Sequence, residues 1–549
     1  MEELKISGQL VDVVARTIRP ATITVSGTKI TSVEYITEAP NVYLIPGFVD
    51  AHIHIESSML LPTEFARQSV VHGTVACVCD PHEIANVCGV EGIDFMIKNG
   101  KQSPMKFYFG APSCVPATEF DSAGAVLGAV EVDALLARDD IYFLAEMMNY
   151  PGVIEHNAEV YAKLAAAQKY RKPIDGHAPE LTGDGLKAYA AAGISTDHEC
   201  MTIAEAEAKL ALGMKIQIRE GSAAKNFDDL LPLMDKYTDH IMFCSDDKHP
   251  DDLLKNGHIN TLARRAVAAG YNPVDVLRVC SYNPVKHYGL NVGLLQTGDE
   301  ADFVIVDDLK DFRINEVYIA GRKVVADGNA LFNVVEGETV INNFQAEKIT
   351  VADIHVAPEG NSLKVIVVDD GQLFTHSHRV APRTVEGNVV SDVQQDVLKL
   401  VVYNRYRPSK PAVGFIRNIG LKAGAMASTV SHDSHNIVAV GASDEEIVRA
   451  INCLIDSKGG VLACNSDEMK MLPLPVAGLI SVKNGEETAR LYEEVDAMAK
   501  RLGSTLKAPF MTLAFMSLLV IPKLKLSDKG LFDGRSYSFT ALMDDVENR

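Results

Sequence analysis

Two histidines spaced i, i+2, His52-Ile53-His54, close the apolar run VYLIPGFVDAHIH. On an extended segment their imidazoles share one face. Later apolar runs end in residues of the same chemical kind: Glu146 after IYFLA, His177 in KPIDGHA, His198 in GISTDHE, and Asp246-Asp247 in HIMFCSDD. Neutral imidazoles and carboxylates are donors for Zn, Mn or Fe, and two ions could share Glu146 as a bridge. Such a pair would turn water into a nucleophile at neutral pH. Taken singly, each residue has an ordinary reading, since a lone buried His is more often a hydrogen-bonded core residue than a ligand. The carboxylate inside FLAEMM is harder to explain that way, because an unpaired charge among apolar neighbours is costly and coordination removes the cost. A second His-x-His pair, His376 and His378 in FTHSHRV, has no ligand-type residues recurring in step with it and is expected at the surface.

Residues so far apart meet only if the runs that carry them lie side by side with their ends aligned. Between Val42 and about Pro250 there are eight such runs, most of them separated by segments of helical spacing such as EVYAKLAAAQKY and TIAEAEAKLAL. The pattern predicts an α/β fold, a metal-dependent (β/α)8 TIM-like barrel whose strand C-termini carry the site. Alternating segments before it (LKISGQLVDVV) and after it (GDEADFVIVDD, INEVYIAGRKVVADG) predict a small β-domain built from both flanks. From Asn342 onward, strands and helices alternate again, which predicts an additional C-terminal α+β domain. The expected division is 1–45 plus 292–341, then 46–291, then 342–549, domains of ordinary size.

The formal charge of −21 argues against a nucleic-acid or anionic-membrane partner held by bulk charge. The longest apolar stretch, near Met511 to Pro522, is too short to span a bilayer, and MEELKISGQL has no apolar leader core. Nine scattered Cys, several in apolar runs, read as reduced buried thiols. A cytoplasmic location is the expectation.

The chain resembles the amidohydrolase superfamily in PGFVDAHIHIE, in His177, His198 and Asp246, and in GDEADFVIVD followed by AGRKVVADG. It more closely resembles the bacterial adenine deaminases in HIESSM (54–59), CDPHEIANV (79–87), LAEMMN (144–149), DGHAP (175–179), REGSAAKN (219–226), SDD (245–247) and HDSHN (432–436). The resemblance implies a distorted barrel and a binuclear divalent centre, with Mn or Fe favoured and Zn admissible. His52 and His54 would hold one ion with Asp246, and His177 and His198 the other. Glu146 would take the bridging place that a carbamylated Lys fills in many relatives. The implied activity is hydrolysis of adenine to hypoxanthine and ammonia by attack at C6, a purine-salvage reaction, in a homodimer or larger homo-oligomer.

In that reaction Asp246 is the expected base, passing a proton from the attacking water to the leaving amine. Ring N1 must gain a proton as well, and Glu220, Asp247 and Glu83 all remain candidates for supplying it. Glu220 has an equally good reading as a salt bridge. His82 and Glu83 would line the site, bind an accessory ion or hydrogen-bond the ligands. Glu56, Ser57 and Ser58 would orient a ligand or contact the purine, and the two serines equally suit a turn. On its residues alone HDSHN reads as an exposed turn; the resemblance implies a lid over the mouth, with His432 or His435 near the substrate. Rival readings are a deaminase or cyclic amidohydrolase for a different nucleobase, and a catalytically silent scaffold.

Overall fold

The computed structural model describes residues 3–334 and 340–545. Residues 1–2, 335–339 and 546–549 of the expected domain ranges lie outside the described residues. The strands that carry the histidines and acids are β1 (Phe48–Ile53), β2 (Thr74–Cys79), β3 (Lys106–Phe109), β4 (Leu144–Met147), β5 (Ile174–Gly176), β6 (Thr196–Asp197), β7 (Lys215–Arg219) and β8 (Ile241–Cys244). The sequence of β2, TVACVC, carries no charge, has β-branched Thr74, Val75 and Val78, and is buried at every position, as expected for a parallel strand covered on both faces.

Neighbours in the chain are neighbours in space. β1, β2 and β3 pair in parallel, as do β4 with β5 and β6 with β7 and β8. Between these groups, Tyr142 N–H donates to Phe109 O (2.9 Å) and Ser195 N–H donates to Ile174 O (2.9 Å). After β8 the chain returns to β1: Asp246 N–H donates to His52 O at 3.0 Å and His54 N–H donates to Asp246 O at 3.3 Å. The eight segments therefore form a closed parallel ring. Below the ligands, Asp50 on β1 accepts from Ser245 N–H (3.0 Å) and pairs with His258 (2.7 Å), which adds a second tie between the ends of the ring.

Helices fill the connections, and their starts are visible in the sequence. Asn157 accepts from Glu159 N–H and Val160 N–H at the start of Ala158–Lys169, and Thr202 accepts from Glu205 N–H at the start of Ile203–Leu210. Each side chain satisfies amide groups that the helix itself leaves open.

The run VYLIPGFVDAHIH, read as one strand, is two. Tyr43–Pro46 pairs with Leu4–Asp12 and Phe303–Val306 in an eight-stranded sheet drawn from both sides of the ring. Gly47 makes the crossing possible, since a Cβ there would stand 2.4 Å from the Val75 side chain. Beyond residue 340, strands including Ser362–Val368, Val397–Tyr403 and Ile437–Gly441 build a nine-stranded sheet packed with the helix Asp444–Ser457. One hydrophobic cluster runs from the ring (Val78, Ile218) into this layer (Leu398, Leu472, Phe515), so the two share a core. His376 and His378 lie on an exposed strand there, and His376 pairs with Asp369 at 2.7 Å. All nine Cys are free, and among the described residues no helix is long and apolar enough to cross a membrane.

Candidate metal centre

The six expected ligands converge at one end of the ring, all of them buried. Alternation along β1 sends His52 and His54 to the same side. Each of the other four comes from a strand or from the residue or two beyond it: Glu146 from β4, His177 after β5, His198 after β6 and Asp246 after β8. Asp246 Oδ1 lies 3.6 Å from His52 Nε2 and 3.3 Å from His54 Nε2. Glu146 is shared: Oε1 faces His54 Nε2 at 3.5 Å, while Oε2 faces His177 Nδ1 at 2.9 Å and His198 Nε2 at 3.2 Å. Two donors on one tetrahedral ion with bonds near 2.1 Å stand about 3.4 Å apart, which matches most of these separations.

The donor set fits divalent metal. His54 Nδ1 donates to Asp80 O at 3.1 Å, which leaves the Nε2 lone pair facing Asp246 and Glu146. Both ring nitrogens of His52, Nε2 of His177 and Nδ1 of His198 are buried without a hydrogen-bond partner. Burial alone would neutralise Glu146, but the imidazoles of His177 and His198 outweigh it and hold the carboxyl well below its ordinary range. Asp246 is likewise held down against burial by His52, His54, His198 and Arg219.

Four residues at the centre escaped the sequence reading. Arg219 Nη1 donates to Asp246 Oδ2 at 2.8 Å, and the same guanidinium grips Glu199 with both Nη atoms. Glu199 in turn stands 3.4 Å from His198 Nε2. Asp80 and Asp433 flank His82, at 3.2 and 3.6 Å, and His82 Nδ1 is 3.4 Å from Glu146. The visible signal was position: Glu199 and Arg219 also lie at the ends of expected strands.

Glu220 requires a correction. Its carboxylate pairs with Lys225 (3.0 Å) and Arg265 (2.8 Å) beside a separate cavity of about 380 Å³ lined by His72 and Lys248. Successive residues of an extended segment point to opposite faces, so the strand that aims Arg219 inward turns Glu220 away. Its salt-bridge reading stands and its catalytic one does not. The exposed-turn reading of HDSHN is also overturned: His432 is 5% and His435 0% exposed, folded over the mouth of the ring.

Ser57, Glu83 and Asp247 form a hydrogen-bonded chain. Ser57 Oγ is 2.8 Å from Glu83 Oε1 and 2.6 Å from Asp247 Oδ1. One hydroxyl hydrogen cannot serve two carboxylates, so one carboxyl carries its own proton. Burial, with the charges of Asp247 and Glu56 adding to it, raises Glu83 well above the ordinary range, which makes Glu83 the protonated member. Glu56 accepts from Ile84 N–H at 3.2 Å and is pushed up to about 6 by burial. His435 Nδ1 accepts from Ser431 N–H (3.2 Å), so its Nε2 keeps a hydrogen; that nitrogen lies 3.7 Å from Glu83 Oε2, beyond hydrogen-bond reach.

The cavity over the ligands is about 30 Å³. Its polar floor includes His54, Glu146, His198, Asp246 and Asp247; Met148, Leu373, Phe515 and Leu518 supply its apolar side, with His432 and Asp433 beside them. Behind Leu373 and Phe515 lies Lys525, wholly buried, whose ammonium burial alone pushes down to about 7. The unfolded chain, with an ordinary value of 10.5, therefore binds more protons than the folded one between pH 7 and 10.5. Stability should rise with pH across that window by up to about 1.4 kcal/mol per unit and stay flat below it. Denaturant titrations of the protein and of Lys525→Met at several pH values check this, since the difference between them should carry that slope.

Residues 43–324 match the model of the amidohydrolase family, and residues 372–538 match that of the adenine deaminase C-terminal domain. A Salinibacter ruber protein named adenine deaminase is 54% identical over 97% of this chain and 98% of its own. Proteins of the same name from Methanosarcina mazei and Borreliella burgdorferi are 51% and 47% identical, each over 98% of this chain and the whole of their own. Family models covering ring and C-terminal layer, together with full-length relatives near half identity, place the chain in the adenine deaminase family of the amidohydrolases.

Proposed function

We propose that the protein hydrolyses adenine to hypoxanthine and ammonia at a pair of divalent ions, Mn or Fe in preference to Zn, held at the mouth of a distorted (β/α)8 barrel. His52, His54 and Asp246 would hold one ion, His177 and His198 the other, with Glu146 between them. The observation that carries the reading is the single carboxylate of Glu146 facing His54 on one oxygen and His177 and His198 on the other. When bound, such ions lower the pKa of a shared water from 15.7 to about 7 and so supply the nucleophile for C6.

The remaining work falls to the chain. Asp246, ionised and oriented by Arg219, accepts one proton of the attacking water and hands it to the exocyclic nitrogen, which leaves as ammonia, and the water's second proton replaces the one that ring N1 takes from the chain. Asp247 borders the cavity and Glu83 does not. The proton for ring N1 therefore moves from Glu83 through Ser57 Oγ to Asp247, the member within reach of the purine. His82, Asp80 and Glu199 hold the ligands in place, and His432 with Asp433 covers them.

The same reading takes 1–45 plus 292–341, 46–291 and 342–549 as the domains, a homodimer as the assembly and cytoplasmic purine salvage as the setting. The silent-scaffold alternative is disfavoured because every ligand position is filled.

Ammonia release from adenine, guanine and cytosine tests the proposal. Turnover is expected with adenine, is lost on chelation and returns with Mn or Fe. Turnover of another base with none of adenine would overturn it.

A further inference from the structure

The space over the ligands is too small for a purine. A single water needs at least about 10–15 Å³ measured this way, so about 30 Å³ holds roughly two waters. Adenine enters only if one side yields. The polar side is fixed by strand ends and by paired charges. Apart from Met148, which follows β4, the apolar side is built from two chain segments beyond residue 340: the loop carrying Leu373, and the short turn Phe515–Ser517 that leads to Leu518. Phe515 lies beside the His432 ring, with centroids 5.1 Å apart and planes 33° apart.

These two segments meet at one atom. Lys525 Nζ donates to Leu373 O at 2.7 Å and to Phe515 O at 3.0 Å. Lys525 sits on the strand Leu524–Ser527 with 0% exposure, and among the described residues no carboxylate pairs with it. An unpaired, fully buried Lys is expensive to keep. A neutral amine has two N–H groups, enough for the two carbonyls. An apolar residue of similar length would fill the space but leave Leu373 O without its donor and Phe515 O with Leu518 N–H alone, at 3.2 Å, and the two segments would lose their common anchor.

We propose that Leu373, Phe515 and Leu518 are the apolar wall against which the flat face of adenine binds, and that Lys525 is the positioning residue that sets this wall. The inference rests on the reading of the site as an adenine deaminase centre. It adds that affinity for the base is set from the C-terminal layer, apart from the ligand cluster. A planar heteroaromatic has two apolar faces and a polar edge, and the cavity offers a matching division between wall and floor.

Steady-state kinetics of the full-length metal-loaded protein, of Phe515→Ala, of Lys525→Met and of the double variant test the inference. Phe515→Ala should raise KM for adenine by about tenfold or more while kcat stays within about threefold, the pattern of lost uniform binding. Metal content should not change. Lys525→Met should move KM in the same direction. In the double variant, KM should rise by less than the product of the two single effects, because Lys525 acts in part through Phe515. If Lys525→Met does not fold, Phe515→Ala alone carries the test, and Lys525→Gln, which keeps two N–H donors, should leave KM near that of the unmodified protein. An unchanged KM in Phe515→Ala, or KM effects that multiply in the double variant, would overturn the inference. Failure of the unmodified protein to deaminate adenine would instead sink the functional reading, so the two failures are distinct.

Discussion

Asp246→Asn should lose deamination by about a thousandfold or more in kcat while the protein stays folded. Asp246 combines three properties: it touches His52 and His54, it is clamped by Arg219, and it stays ionised despite full burial. The amide keeps the shape and an oxygen for the ligand cluster, but it cannot accept the water's proton at neutral pH. It also leaves Arg219 with a neutral group where it now meets a charge, which adds a modest loss of stability. Kinetics with metal analysis and a thermal melt separate the parts: bound metal and a cooperative transition are expected to survive, turnover is not. Near-normal kcat would remove Asp246 from the role of base.

Glu83→Gln should cost about a hundredfold to ten-thousandfold in kcat, the usual worth of a positioned acid. The amide fills the same volume beside Ser57 but has no proton to release. Burial and neighbouring negative charge raise the Glu83 carboxyl, so it holds its proton to higher pH than an ordinary carboxyl does. The unmodified protein should therefore lose activity on the alkaline side as Glu83 deprotonates, and the variant should lack that limb. A variant with full activity and an unchanged alkaline limb would show that the ring nitrogen is protonated from elsewhere.

What was legible in the chain, and what was not, follows from the range of the interactions. His52, His54, Glu146, His177, His198 and Asp246 were readable because each closes an apolar run, and a parallel ring aligns such ends. The proton chain was not readable as a unit, because Ser57, Glu83 and Asp247 meet only through tertiary contact. Glu220 failed by one position: the end of β7 was placed a residue late, which reverses the face. HDSHN was misjudged on its residues because polar composition suggests solvent, and burial there depends on partners such as Glu83 and His82 in the ring. The break at Gly47 was hidden because both halves of that run are apolar and extended.

The ring closes where Asp246 meets His52 and His54, and those same residues hold one side of the centre. The seam of the architecture and the proposed grip on the cation are therefore one feature. A nascent chain cannot complete that grip until residue 246 has been synthesised and the ring can close, so cation capture waits on the last ring strand. Stripping the cation should loosen the molecule first along that join, between its earliest and latest ring strands.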